Sequence, residues 1–135
     1  MLHKKFQYIL RHIPLIFVTV AIIYLSSREG LQSDFSQAID NILRKGAHVF
    51  EYFLLFHAMW FAWYGKKYLT LPFHEFSKAS AVVISASLLF ALSDEYHQIF
   101  VPGRTAQPMD IVFDSIGIVG GYLMISLIWE KNRKR

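Results

Sequence analysis

The chain is organised around four long apolar segments, near residues 8–25, 47–64, 79–100 and 109–129. Each of the last three approaches the roughly 20 residues that a helix needs to cross a bilayer. The first reaches that length when Arg11 and His12 are included and extend back to the headgroups. Because a segment in lipid must satisfy its own backbone hydrogen bonds, all four are predicted to be helices. The expected fold is all-α: an integral membrane bundle of four transmembrane helices, in a single domain over residues 1–135.

Composition supports this class and excludes others. Hydrophobic residues make up 54% of the chain and charged residues only 18%, with a mean hydropathy of +0.33. The absence of cysteine excludes disulfides, thiol catalysis and thiolate metal sites. The net charge is +4, but the basic residues flank apolar segments instead of forming a stripe, so the expected partner is a membrane surface and not nucleic acid. The first segment resembles a signal peptide, yet "YLSSREG" lacks a cleavage site of the A-x-A type, and we expect it to be retained.

The distribution of basic residues predicts the orientation. In an alternating four-helix arrangement, ten of the fourteen Lys and Arg residues fall on the side that carries both termini and the connection between helices 2 and 3. Such an excess marks the cytoplasmic side of a membrane protein. We therefore expect cytoplasmic termini, with the polar connections "SSREGLQSDFSQAIDNILRK" and "VPGRTAQP" outside. A polar site built from these connections would face outward.

Helix 2 begins with four polar side chains. Lys45, His48 and Tyr52 are spaced i, i+3, i+7 and share one face, with Glu51 beside them. Glu51 lies roughly 9 Å deeper than Lys45 at about 1.5 Å per residue. An ionisable group at that depth is a candidate functional residue that faces the bundle interior with a partner. The alternative is a Lys–Glu or His–Glu pair that only fixes helix packing.

Helix 3 ends in "SDEYHQIF". Asp94 is spaced to share a face with His97 and Gln98, whereas Glu95 points roughly 100° away. Two neighbouring carboxylates beside an imidazole can hold one proton between them, which suits acid–base chemistry. Two simpler interpretations stay open: Asp94 only orients His97, or the imidazole extends to the headgroups.

Arg104 follows a tight Pro–Gly turn and precedes helix 4, which is expected to start near Pro108. A helix N-terminus beside an arginine suits a phosphate or carboxylate ligand. Equally, Arg104 could pair with Asp94, Glu95 or Asp110 and close the loop.

Helix 4 carries its aspartates on one stripe with two glycines. Gly117-x-x-x-Gly121 is a common device for close helix approach in membranes, and Asp110 and Asp114 extend that stripe outward. Both aspartates should therefore face the bundle interior, although Asp110 could simply cap the helix dipole. No nucleophile elbow, P-loop or H-E-x-x-H motif is present, and no cofactor is indicated. Six side chains offer the nitrogen and oxygen ligands that a hard or borderline divalent metal prefers: His48, Glu51, Glu95, His97, Asp110 and Asp114.

These segments resemble the VanZ-like membrane proteins. "RKGAHVFEY" and "SDEYHQIFVPGRTAQPMDIVFDSIG" are similar to the family's K-x-x-H-x-x-E-Y, D-E-x-x-Q-x-F-x-P-G-R and later aspartate pattern. The positions that match are Lys45, His48, Glu51, Tyr52, Asp94, Glu95, Gln98, Phe100, Pro102, Gly103, Arg104, Asp110 and Asp114. The resemblance implies a multi-pass protein of a bacterial cell membrane. The family's namesake is associated with low-level resistance to the lipid-bearing glycopeptide teicoplanin.

Three functions fit the pattern. The first is a module that binds an anionic lipid or lipid-linked envelope intermediate at the outer leaflet, with Lys45, His48 and Arg104 as anion contacts. The full set of expected ligand-binding residues is Lys45, Glu51, Tyr52, Gln98, Arg104, Asp110 and Asp114.

The second is an intramembrane hydrolase or transferase, metal-assisted or not. Asp94 or Glu95 would be its general base, His97 or His48 its acid, and Arg104 would stabilise developing negative charge. The third is a structural polar network, which is costly because helices can associate through small residues without buried charge.

Overall fold

The computed structural model describes residues 2–28, 37–104 and 107–134. All regular secondary structure in these residues is helical, which confirms the predicted all-α fold with four long helices. A short 3-10 helix, Gly65–Thr70, follows the second of them. The long helices are α1 (Leu2–Ser26), α2 (Gln37–Tyr64), α3 (Phe73–Gln98) and α4 (Pro108–Arg133).

Three of these helices are long and apolar enough to cross a membrane by length and composition: Phe6–Ser26, Phe73–Gln98 and Pro108–Arg133. α2 falls outside this group because His48, Glu51 and His57 interrupt its apolar sequence. α2 is instead the central helix of the bundle. It packs against the other three, most extensively against α4.

Three of the long helices begin earlier in the sequence than predicted. α1 begins at Leu2 and not near residue 8. α2 begins at Gln37 and not near residue 47, and α3 begins at Phe73 and not near residue 79. Hydropathy marks only the apolar part of a helix, whereas the first turns of α2 include Asp40, Arg44 and Lys45. Of the expected outer connection between α1 and α2, residues 29–36 lie outside the described residues, and the part from Gln37 onward belongs to α2.

The helices run alternately up and down. At one end, which we call the polar end, the ends of α1 and α3 meet the starts of α2 and α4: Ser26 bonds to Asp94, and His48 contacts Asp114. At the opposite end, the basic end, Trp129 stacks on Phe76 with ring centroids 4.5 Å apart. The Trp129 indole N–H also donates to the carbonyl of Leu71 at 3.0 Å. The basic connections therefore lie away from the polar clusters.

α2 and α4 touch backbone to backbone. A Cβ placed on Gly117 would collide with the carbonyl oxygen of Val49 and lie 2.9 Å from the amide nitrogen of Phe53. At Gly121 a Cβ would come within 2.8 Å of the Phe56 ring. The Gly117-x-x-x-Gly121 motif thus produces the close helix approach that its spacing predicts. This contact brings the start of α4 against the start of α2.

The outer surface of the bundle is strongly apolar. Large hydrophobic side chains point outward on all four long helices, including Phe17 (74% exposed), Ile42 (70%), Leu89 (66%) and Leu127 (66%). A water-soluble protein rarely exposes so continuous an apolar surface, whereas lipid accommodates it. The buried groups at the polar end are therefore surrounded by an apolar shell.

Candidate functional site

The closest acid–base pair at the polar end joins α2 to α4. His48 Nδ1 lies 2.9 Å from Asp114 Oδ1, and His48 Nε2 lies 3.7 Å from Asp110 Oδ2. Both aspartates are fully buried and His48 is nearly so. Arg44, one turn before His48, approaches Asp110 Oδ2 at 3.6 Å from the rim. The imidazole is therefore placed between two carboxylates.

A second cluster ties α1 to α3 through Asp94. Its Oδ2 accepts hydrogen bonds from the Ser26 hydroxyl at 2.8 Å and from the Gln98 side-chain amide at 3.1 Å. Asp94 and Gln98 do share a face, as their spacing indicates. His97 does not join them: its side chain is exposed, and its Nε2 lies 3.0 Å from the Ser27 hydroxyl.

Glu95 connects α3 to the cluster between α2 and α4. It is buried, and its Oε2 accepts a hydrogen bond of 2.9 Å from the backbone N–H of Gln107, just before α4. The Gln107 side chain in turn accepts a hydrogen bond of 2.9 Å from Arg44. Glu95 also interacts electrostatically with Asp110 and His48. α2, α3 and α4 thus contribute to one continuous polar network.

Glu51 and Tyr52 lie at the inner edge of this network. Glu51 is half-buried and interacts electrostatically with His48, Asp94 and Asp114. Tyr52 is fully buried, and its hydroxyl has no hydrogen-bond partner among the described residues. Carboxyl or amide oxygens of five further side chains share that condition within the described part of the chain: Asp94, Glu95, Gln98, Asp110 and Asp114. Because buried polar atoms are normally paired, protons, water or a ligand must satisfy this cluster.

Comparison with known families matches this chain to the VanZ/LLP1 family over residues 3–129. The chain belongs to the VanZ/LLP1 family. The match covers nearly the whole chain, including helix α1, and agrees with the resemblance that the two sequence motifs indicate. No curated protein and no solved structure matched the chain.

In this VanZ/LLP1 chain the motif arginine, Arg104, binds the chain next to the end of α1. Its guanidinium donates from Nε to the carbonyl of Arg28 at 2.8 Å, and from Nη2 to the carbonyl of Leu25 at 2.9 Å. Among the described residues Arg104 forms no ion pair with Asp94, Glu95 or Asp110. The alternative interpretation, an ion pair that closes the loop, is therefore wrong. Arg104 instead donates to carbonyls at and just beyond the end of α1, where the Leu25 carbonyl also accepts from the backbone N–H of Arg28.

Lys45 also departs from the predicted arrangement. Its spacing places it on the face of His48, but its ammonium lies 5.0 Å from the centroid of the Phe113 ring, outside the carboxylate network. The cation beside Asp110 is Arg44, which was not among the predicted site residues. The i, i+4 spacing of Arg44 and His48 was the signal that could have identified it. Ser26 and Gln107 carry no comparable sequence signal, since only tertiary contact gives them a role.

The six possible metal ligands of this VanZ/LLP1 chain do not assemble. Within residues 2–28, 37–104 and 107–134, no group of three or more His, Asp and Glu side chains is arranged to hold a metal ion. His97 lies on the α1 side, whereas His48 lies between α2 and α4. The arrangement is better suited to proton exchange between an imidazole and carboxylates than to a cation cage.

Proposed function

We propose that this protein binds an anionic lipid or lipid-linked envelope intermediate at the outer leaflet of a bacterial cell membrane. In this proposal all four helices cross the bilayer and both termini are cytoplasmic. At about 1.5 Å per residue, the 28 residues of α2 extend roughly 42 Å, more than the roughly 30 Å hydrocarbon core. The basic end supports the orientation, because Lys and Arg favour the cytoplasmic side.

The observation that carries the proposal is a groove beside Lys45. The groove lies between α2 and α4 and has a volume of about 380 Å³; besides Lys45 it is lined by Ile42, Gly46, Val49 and Phe113. Lys45 is half-buried there and forms no ion pair within the described part of the chain. An apolar groove with one cation at its mouth matches a lipid: the acyl chain covers the wall and the phosphate meets the ammonium.

A second candidate function, modification of the bound lipid, is favoured by the His48–Asp114 pair. A buried carboxylate 2.9 Å from an imidazole is the arrangement used to orient a general base. In this version His48 is the acid–base group. Its imidazole is not in direct contact with the other predicted catalytic side chains, which are Asp94, Glu95 and His97. Resistance to teicoplanin, a lipid-bearing glycopeptide, is one phenotype through which either activity would be observed.

Lipid titration tests the binding proposal. The purified protein in detergent is titrated with fluorescent phosphatidylglycerol, and Lys45→Ala is compared with Lys66→Ala, a matched change at the basic end. A Lys near a lipid surface contributes about 1 kcal/mol, so Lys45→Ala should weaken binding roughly fivefold. Lys66→Ala should leave the affinity unchanged. Equal affinities for both variants would remove the groove from the proposal.

An amide substitution separates binding from chemistry. Asp114→Asn keeps the shape of the side chain but removes the charge that orients His48. Retained phosphatidylglycerol affinity with loss of teicoplanin tolerance in a host that depends on the protein would support chemistry. If Asp114→Asn only reduces the amount of folded protein, and teicoplanin tolerance per folded molecule is unchanged, the pair has a purely structural role.

A further inference from the structure

We propose a second binding site on the opposite side of the polar end, between α1 and α3, that takes a primary ammonium group of a membrane lipid. A depression of about 220 Å³ lies there, lined by Ile23, Phe90, Ser93, Asp94 and His97. It differs from the Lys45 groove in both location and charge. It therefore adds a ligand class that the anion site does not recognise.

Asp94 supplies the recognition. The residue is only 4% exposed, and its Oδ2 already accepts two hydrogen bonds, from Ser26 and Gln98. Its Oδ1 has no hydrogen-bond partner in the described residues. Leaving a buried carboxylate oxygen unpaired is costly, and a ligand that donates hydrogen bonds and carries positive charge would remove that cost.

The surrounding charge favours a cation over an anion. Glu51 interacts electrostatically with Asp94. The Arg104 guanidinium donates to the carbonyls of Leu25 and Arg28, and the Arg28 guanidinium donates to the Tyr24 hydroxyl. His97 is held by the Ser27 hydroxyl at the rim. A phosphate at this position would meet carboxylates without a free cation, whereas an ammonium would complete the set.

The walls identify the source of the ammonium. Ile23 and Phe90 provide apolar sides, and α1 meets α3 over a much smaller area than α2 meets α4. In this proposal a lipid reaches the depression from the apolar surface between α1 and α3. An aminophospholipid can place its ammonium on Asp94 and its chains along Ile23 and Phe90. Phosphatidylethanolamine carries the three N–H donors that phosphatidylcholine lacks.

The test measures lipid retention by native mass spectrometry of the full chain, after exchange into equal mixtures of phosphatidylethanolamine and phosphatidylcholine. The wild-type protein should retain the ethanolamine lipid about tenfold in excess, as expected for a charge-assisted hydrogen bond. Asp94→Asn should abolish the excess. Ser93→Phe, an exposed position in the lining, should do the same by filling the depression, whereas Ser77→Phe, exposed elsewhere on α3, should not.

Two further outcomes are informative. If Asp94→Asn does not fold, Ser93→Phe still decides, because its side chain is outside the buried network. Displacement of the retained lipid by free ethanolamine would support recognition of the ammonium alone, and retention despite ethanolamine would support the lipid as the source. Equal retention of the two lipids by the wild type, or an excess that survives Ser93→Phe, overturns the proposal. Phosphatidylglycerol binding at Lys45 is a separate readout, so the two proposals can fail independently.

Discussion

The contact between α2 and α4 can be tested by adding one methyl group at Gly117. Alanine there places a Cβ against the Val49 carbonyl and 2.9 Å from the Phe53 nitrogen, both of which belong to the backbone of α2. A flexible side chain could move aside, but a helix backbone cannot. Gly117→Ala must therefore separate the two helices.

Gly120 provides a control on the same helix. A Cβ at Gly120 would lie 3.6 Å from a ring carbon of Phe53, an ordinary contact distance. Both substitutions gain the same helix propensity, about 1 kcal/mol, so this gain cancels in the comparison. Overpacking costs about 1–3 kcal/mol, and contact with backbone places Gly117→Ala near the upper end. We expect Gly117→Ala to be less stable than Gly120→Ala by about 2–3 kcal/mol.

The free energy of unfolding can be measured for both variants by titrating sodium dodecyl sulfate into mixed micelles and following helix content. Since Gly117 lies three residues beyond Asp114, separation of the helices should also reduce lipid binding at the groove between α2 and α4. Equal unfolding free energies for Gly117→Ala and Gly120→Ala would refute the close approach and, with it, the placement of His48 against Asp114.

Three further contacts can be tested by substitution. His48→Ala and Asp114→Ala should be non-additive, with a coupling of about 0.5–3 kcal/mol in a double-mutant cycle of unfolding free energies; additive losses would contradict the contact. Arg104→Lys should lose one of the two hydrogen bonds to the carbonyls of Leu25 and Arg28, because lysine cannot form the two-pronged contact. The free energy of unfolding should fall by about 1 kcal/mol, and protease cleavage after α1 should increase. Trp129→Phe should cost about 0.5–1.5 kcal/mol, since it removes the bond to the Leu71 carbonyl but keeps the ring stacking; a loss as large as that of Trp129→Ala would show that the bond is not what stabilises this end.

Apolar segments and spacing predicted which parts of the chain become helices, but not where each helix ends. The start of α2 was missed because its first turns are polar, and a hydropathy pattern marks only the apolar part of a helix. The pairing of Asp94 with Gln98 followed from their i, i+4 spacing, which is local geometry. The exposure of His97 did not, because Ser27, far away in sequence, holds its ring.

The same limit applies to the cations. Lys45 and Arg44 are adjacent, and periodicity alone places either of them near His48. Which one reaches Asp110 depends on how α4 lies against α2, and the glycine contact at Gly117 sets that position. Arg104 was predicted to contact an anion or, alternatively, to pair with Asp94, Glu95 or Asp110; only the tertiary structure shows that it donates to the carbonyls of Leu25 and Arg28.

The sequence by itself determined the helical class, the family and the separation of most basic residues from the buried acids. The physical reason is that lipid imposes backbone pairing and apolar length on any chain that crosses it. Only the tertiary structure decided which acid meets which base, since those distances depend on the rotation and separation of helices that are remote in sequence. The two grooves, one beside Lys45 and one beside Asp94, arise from that packing, and no linear pattern contains them.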